Sequence, residues 1–357
     1  HEPSTKLHNA LYFMSGMMVV ILALVIVAGV KTKAENAGFH IADDTENSYE
    51  QQVAGQTDTT QDSGQEKWQE GVVAYQGKEY LYNTDIKTYL MMGVDIDGPV
   101  QQSSDYTQGG QSDALFLLVV NNKTEQLQVI SINRNTMADI ELCDEEGIDM
   151  GPLKTQICLQ HAFGDGKRLS CSKTVDAVSG LFQNIPISGY LAMNMGGIPQ
   201  MNDAVGGVEV TVQQDISFPK AGVNLKKGQK VTLNGTQAYY YLHGRDTEEY
   251  DSATKRLQRE EQYIVAYMDK LKKVSTENPD QVTEIYNSVS DYLVTSVDFT
   301  SMIEQLMNYG FSEDQMYTVP GKTVEGKPID GKRYEEYHVD EDAMEELIMK
   351  VFYTPVQ

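Results

Sequence analysis

The sequence predicts an α/β protein: one layered α-β-α domain with a central mixed sheet, preceded by a single transmembrane helix. Three observations predict it. From about residue 72 onward, short apolar strand patterns alternate with amphipathic helical patterns. Residues 10–30, ALYFMSGMMVVILALVIVAGV, form an uninterrupted uncharged run; at helical rise that is roughly 30 Å, the thickness of a bilayer core. Between the two, residues 31–71 are rich in Gln, Glu, Asp, Thr, Ser and Gly and poor in large apolar side chains, the composition of a disordered spacer.

The elements follow in order. A signal peptide is the rival reading of 10–30, but its apolar core is shorter and an A-x-A-like cleavage site follows it, so a retained helix is expected. Lys6 before the run and Lys31 and Lys33 after it leave its orientation undecided. VVAYQGKEYLYN (72–83) reads as two short strands joined at Gln76-Gly77. KTYLMMG (87–93) is a buried strand running into Asp95, and ALFLLVV (114–120) and LQVISI (127–132) flank a turn at Asn121-Asn122. CSKTVDAVSGLF (171–182) places Val175, Val178, Leu181 and Phe182 on one helical face. GGVEVTV (206–212) and QAYYYLHG (237–244) read as strands. Residues 252–273 form a long helix with Asp251 or Ser252 as N-cap, and another helix covers about 299–309. DEDAMEELIMKVF (340–352) is a last helix, with Met344, Leu347, Ile348, Val351 and Phe352 on its apolar face. The domain is expected over 72–320, with 321–357 as a C-terminal extension.

The charge balance narrows the partners. Of 357 residues, 28 are Lys or Arg and 52 are Asp or Glu, a net of -24. Such a chain is repelled by DNA and RNA, so no nucleic-acid partner is expected. Any anion site must therefore be a local exception to the global field. Arginines number only six, and three of them (Arg245, Arg256 and Arg259) fall within fifteen positions. A guanidinium offers a planar fork of donors that matches phosphate and carboxylate, although a helix with chance basic residues has the same look. The three cysteines, Cys143, Cys158 and Cys171, do not have zinc-site spacing, and His161 does not complete one.

The candidate site residues sit at strand ends. Asp95 lies just past a buried strand, and Asp113 opens the next one. Carboxylates at the edge of an α/β sheet are where ligand sites form, and two at neighbouring strand ends can hold one Mg²⁺. Turn or capping roles would explain the same residues. Arg134 follows the strand VISIN, either as a ligand group or as the carboxylates' ion-pair partner. Arg256 and Arg259, at i,i+3, share one helix face. His243 and Arg245, at i,i+2, share one sheet face if the strand persists. Four Arg converging on two Asp exceed simple charge pairing and suit a diphosphate bridged by Mg²⁺.

GVD (93–95), SDALFLLVVN (112–121), SINRNT (131–136), HAFGDG (161–166), MNDAVGGVEVTV (201–212), LNGTQAYYYLHGRD (233–246) and RLQREEQYI (256–264) resemble, in that order, the motif series of the LytR–CpsA–Psr family. The resemblance implies a cell-envelope phosphotransferase that moves a glycopolymer from a polyprenyl diphosphate carrier to peptidoglycan with Mg²⁺, with pyrophosphatase activity as a further expectation. It also supplies the orientation: residues 1–9 a cytoplasmic stub, 10–30 a single pass through the cell membrane, and the catalytic domain extracytoplasmic. It implies Asp95 and Asp113 as metal ligands, and Asp95, Asp113, Arg134, Arg245, Arg256 and Arg259 as the catalytic set. Arg134, Arg245, Arg256 and Arg259 are the implied diphosphate ligands, with His243 and Gln111 standing where the family usually has Arg. Asn133 and Asn135 replace a Pro and an Asp of the family segment around Arg134. The missing cations motivate the alternative of a non-catalytic lipid-carrier binding protein; a membrane-anchored envelope regulator is the third reading.

Two more expectations follow. Cys158 and Cys171 form a disulfide if the domain faces an oxidising space, against the alternative of two buried thiols. The family's carrier lies in an apolar tunnel, whose candidate walls are the face of Val175, Val178, Leu181 and Phe182 and that of Met302, Ile303, Leu306 and Met307. Such faces are also what ordinary core helices show.

Overall fold

The architecture below is that of a computed structural model. It describes residues 71–244, individual positions between 256 and 274, residues 277–297, Tyr309, and residues 315–327 and 334–356. The apolar run 10–30, the spacer up to residue 70, residues 299–308 of the expected helix, the caps Asp251 and Ser252, and Arg245 lie outside the described residues. No helix among the described residues is long and apolar enough to cross a membrane.

A six-stranded mixed sheet, counted among the described residues, organises the chain. Its strands are β1 (Ile86–Val94), β2 (Ser112–Asn121), β3 (Gln126–Ile132), β4 (Gly189–Asn194), β5 (Leu293–Thr295) and β6 (Met316–Thr318), in the spatial order β5-β4-β1-β2-β3-β6. β1 and β2 pair antiparallel, as do β2 and β3, with Leu90 opposite Leu117 and Leu117 opposite Ile130. β4 runs parallel to β1, and β6 parallel to β3. The two central strands read as continuous apolar runs because both faces of the sheet are covered. Tyr89, Met91, Phe116, Leu118 and Val120 face one core, while Leu90, Met92, Leu115, Leu117 and Val119 face the other.

Helices fill both cores. On the first side lie α2 (Ile198–Ala204), α3 (Gly235–His243), the helical positions from Arg256 to Glu277, and α4 (Pro279–Val289). They contribute Met201, Tyr241, Tyr263, Tyr267 and Ile285. On the second side lie α1 (Arg168–Leu181) and α5 (Glu341–Phe352), with the hairpin Met137–Cys143/Asp149–Gln156 beside α1. Asp165 accepts from the backbone N–H groups of Lys167, Leu169 and Ser170 and so starts α1.

Three expectations change. QAYYYLHG is a helix, not a strand: Asn234 and Gln237 form a reciprocal capping box, Asn234 Oδ1 accepting from Gln237 N and Gln237 Oε1 from Asn234 N. Two N-terminal donors are thereby satisfied locally, which outweighs the strand propensity of three consecutive tyrosines. His243 therefore ends a helix instead of sharing a sheet face with Arg245. Residue 320 is not an edge of the packing either. Met344, Ile348 and Phe352 of α5 are buried against the sheet, and strand Tyr353–Pro355 pairs with Lys78–Tyr82 of the N-terminal hairpin. Finally, Val178 and Phe182 have no exposed surface and pack in the second core, Phe182 edge-on to Phe352. They are core residues and not walls of an apolar tunnel; Met302, Ile303, Leu306 and Met307 lie outside the described residues.

Candidate active site

The candidate residues gather where β1 ends, β2 begins and β3 ends. The antiparallel pairing of these three strands makes those ends neighbours, which sequence separation alone hides. A register shift at Gly93/Val94 turns the chain out of the ladder just before Asp95. The Asp95–Asp97 loop then rests on Gly196, whose N–H donates to Ile96 O at 3.0 Å. A side chain at Gly196 would collide with the Asp97 carbonyl, so a close backbone approach defines this loop.

Asp113 is the centre of the charge network. Its Oδ1 lies 2.8 Å from Arg134 Nη2 and its Oδ2 3.0 Å from Arg256 Nη1, and all three side chains are almost wholly buried. The same Arg134 Nη2 donates to Gln111 Oε1 at 2.5 Å. Gln111 N donates to Asp95 Oδ1 at 2.5 Å, and Asp95 N returns a bond to Gln111 O at 3.0 Å. Gln111, standing where the family resemblance puts an Arg, thus ties the two carboxylates and Arg134 into one unit. Arg134 Nε is buried with no hydrogen-bond partner among the described residues.

Asp95 is the exposed member. Desolvation by the surrounding protein raises its carboxyl above the ordinary value, and the Asp113 charge adds to this against the lowering effect of the Gln111 bond. Two like charges that disfavour each other at a sheet edge are what a divalent cation relieves. Asp95, Asp113 and the Gln111 amide oxygen are hard oxygen donors of the kind Mg²⁺ takes. The two arginines on Asp113 leave its carboxylate only its remaining lone pairs, so the residues fit a cation shared with a ligand phosphate. Among the described residues there is no cluster of three or more His, Cys, Asp or Glu that would hold a metal alone.

Arg256 and Arg259 are both buried, but their contacts differ. Arg256 reaches Asp113, whereas Arg259 Nε donates to Tyr241 O at 2.6 Å and its Nη2 to Gly244 O. Arg259 thus binds the C-terminal carbonyls of α3, a position that favours a cation. His243 closes the same helix, its Nδ1 3.0 Å from Met195 Sδ and its ring 5.2 Å from that of Tyr239. Burial lowers its pKa, and the Arg256 charge lowers it further, so it enters the site neutral near pH 7. Of the six residues expected to form the catalytic set, Asp95, Asp113, Arg134 and Arg256 converge, Arg259 supports α3, and Arg245 lies outside the described residues.

Sequence reasoning missed two neighbours. Tyr239 OH donates to Asp97 Oδ1 beside the cleft; the capping box was the signal that would have put Tyr239 and His243 on one helix face. His161 of HAFGDG is buried, with Nδ1 3.0 and 3.1 Å from the carbonyls of Gly109 and Gly110, so Nδ1 carries the proton. It holds the backbone just ahead of Gln111. Cys171 Sγ lies 3.7 Å from its Nε2, and Cys158 packs beside Gln111. All three cysteines are free and buried, so the expected Cys158–Cys171 bridge is absent.

Comparisons with known proteins agree with the motif series. The LytR_cpsA_psr family model matches residues 42–351. The polyisoprenyl-teichoic acid–peptidoglycan teichoic acid transferase TagU of Enterococcus faecalis is 30% identical over 231 residues, which cover 64% of this chain and 67% of that protein. The TagU of Halalkalibacterium halodurans is 28% identical over 220 residues, covering 62% and 64%. The matched stretch is thus about two thirds of these relatives' length. The crystal structure of Bacillus subtilis TagV superposes with a TM-score of 0.55 at 22% identity, covering 75% of this chain and 96% of that one, and supports the fold. With the family model spanning most of its length, the chain belongs to the LytR_cpsA_psr family.

Proposed function

We propose that the protein is a Mg²⁺-dependent phosphotransferase that moves a glycopolymer phosphate from a polyprenyl diphosphate carrier to peptidoglycan at the outer face of the cell membrane. The observation that carries this reading is Asp113, gripped by Arg134 and Arg256 from distant segments beside Asp95 and Gln111. The names of the TagU relatives support the transfer of an envelope glycopolymer. Membrane attachment through residues 10–30, with the domain extracytoplasmic, completes the reading.

The cleft supplies three chemical functions. Arg134 and Arg256 offer fixed cationic donors to diphosphate oxygens, aimed in advance by their bonds to Asp113, so little reorganisation accompanies the build-up of charge. Bound Mg²⁺, held by Asp95 and Asp113 with the Gln111 oxygen beside them, would neutralise phosphate charge. An acceptor hydroxyl attacks the phosphorus next to the glycopolymer, the bond from that phosphorus to the bridging oxygen breaks, and polyprenyl phosphate departs with that oxygen. The hydroxyl proton passes to a carboxylate, and Asp95, exposed and with its pKa raised, is the better placed.

The test is turnover of a polyprenyl diphosphate-linked glycopolymer by the full chain in detergent, followed as polyprenyl phosphate release and polymer transfer. Chelation of divalent cations should abolish both, and added Mg²⁺ should restore them. Tight binding of the lipid diphosphate without any release would instead establish the carrier-binding alternative that the Gln111 and His243 replacements suggest.

A further inference from the structure

A second polar cavity lies apart from the Arg–Asp cleft. It occupies about 420 Å³ between the hairpin Met137–Cys143/Asp149–Gln156, α1 and the segment His338–Glu341. Asp139, Glu141, Asp176 and Glu341 line it against Lys154 and Lys173, with His338 as the other ionisable group. Carboxylates outnumber lysines two to one, so the cavity attracts an ammonium group and disfavours a diphosphate. Its wall is rigid where it meets the strand: Gln160 Oε1 accepts from Glu141 N at 2.7 Å and its Nε2 donates to Glu141 O at 3.0 Å. Burial, then the Glu141 charge, raises the carboxyl of Asp176. A cationic ligand group would offset that repulsion.

Position ties the cavity to the reaction. Met137 lines its near end and stands three residues from Arg134, within about 11 Å of it along the chain. The cavity lies on the α1 side of the sheet, whereas Arg256 reaches Asp113 from the helical layer on the other side. A donor held by Arg256 and an acceptor held beside α1 would meet at the sheet edge from opposite faces, as an in-line displacement at phosphorus needs.

From this geometry we propose that the cavity is the acceptor subsite and takes a glycan–peptide fragment bearing a free amine, the peptide amine seated among Glu141, Asp176 and Asp139 and the sugar directed toward Arg134. This rests on the phosphotransferase reading for its name as an acceptor site, but not for the binding itself.

The experiment uses the full chain and a soluble disaccharide-peptide fragment of peptidoglycan with a free side-chain amine, beside the same fragment with that amine acetylated. Gly180 lines the cavity, and open space surrounds the position a Cβ would take, so Gly180→Tyr sets a bulky side chain on the cavity wall with no clash at its Cβ. Calorimetry should show the free-amine fragment binding the wild type, with acetylation or Asp176→Asn weakening it about tenfold or more, the loss of one ionic contact. In the turnover assay, Gly180→Tyr should raise the KM for the fragment about tenfold while acceptor-free release of polyprenyl phosphate and the melting temperature stay at wild-type values. Equal affinity for both fragments, or an unchanged KM in a normally melting Gly180→Tyr protein, would overturn the proposal. If the wild type releases no polyprenyl phosphate, the phosphotransferase reading fails, and the calorimetric comparison still decides the cavity.

Discussion

At the residue scale, Asp113 and Asp95 are neighbouring carboxylates with opposite energetic roles. Asp113 pairs with two buried guanidinium groups. Its removal takes a carboxylate from both, and breaking a buried pair by deleting one partner typically costs about 3–5 kcal/mol. Asp113→Ala should therefore lose stability on that scale in urea unfolding and lose turnover with it. Asp95 is destabilising when ionised, because its folded pKa lies above the ordinary carboxylate value. The folded state then holds the proton more tightly than the unfolded state, so stability falls as pH rises through the unfolded pKa toward the folded one. Asp95→Asn keeps an oxygen for the Gln111 N–H and removes the charge. Melting temperatures should be higher for Asp95→Asn than for the wild type at pH 7 and equal near pH 3, while turnover is lost. A wild-type protein more stable than the variant at pH 7 would contradict this account.

At the element scale, α3 carries Tyr239 and His243 to the cleft and is held at both ends. Asn234→Ala removes the cap side chain and should cost about 1 kcal/mol in chemical denaturation. Arg259 bonds two carbonyls at the other end with no exposed surface. Arg259→Met leaves those carbonyls unsatisfied at about 1–3 kcal/mol each. It should unfold at distinctly lower urea than Arg256→Met and should lower turnover through the position of α3. Arg256→Met should instead show its larger effect in lipid diphosphate affinity. His161 behaves similarly for the Gly109–Gly110 loop. Burial lowers its pKa, so its neutral form is favoured in the folded state. Stability present above the unfolded value of about 6.5 is then lost as pH falls below it. His161→Gln should flatten that part of the pH–stability curve.

At the scale of the whole molecule, the chain's end completes its core. Met344, Ile348, Val351 and Phe352 are buried in the second core, and the strand after them closes the small sheet that begins at Val72. Side chains of this size contribute about 1.5–3 kcal/mol each on burial, against a net stability of about 5–15 kcal/mol for a domain. A chain ending at Val339 should lack a cooperative unfolding transition by circular dichroism. Val178→Trp should overpack the same core and cost about 1–3 kcal/mol, independent of any lipid. Thiol titration of the unfolded, unreduced protein should find three free groups, one for each buried cysteine.

The sequence by itself determined the elements whose signals are local. The central strands show as apolar runs because both of their faces are covered. The last helix shows through its 3.6-residue apolar stripe, and the hairpin at Gln76-Gly77 through Gly77, a residue that tolerates positive φ. The motif order carried the family, and with it Asp95, Asp113, Arg134 and Arg256. A local signal was misweighed at 237–244, where three tyrosines concealed a capping box. Other features depended on distance. Antiparallel pairing of β1, β2 and β3 places Asp95, Gln111 and Arg134 at one sheet edge. The fold also separates the roles of Arg256 and Arg259, three residues apart on one helix: the first meets a carboxylate brought in by β2, the second the end of α3. No spacing rule distinguishes them, because partners more than a hundred residues away for one and some fifteen to eighteen residues away for the other are chosen by the packing of layers and not by the chain's local geometry.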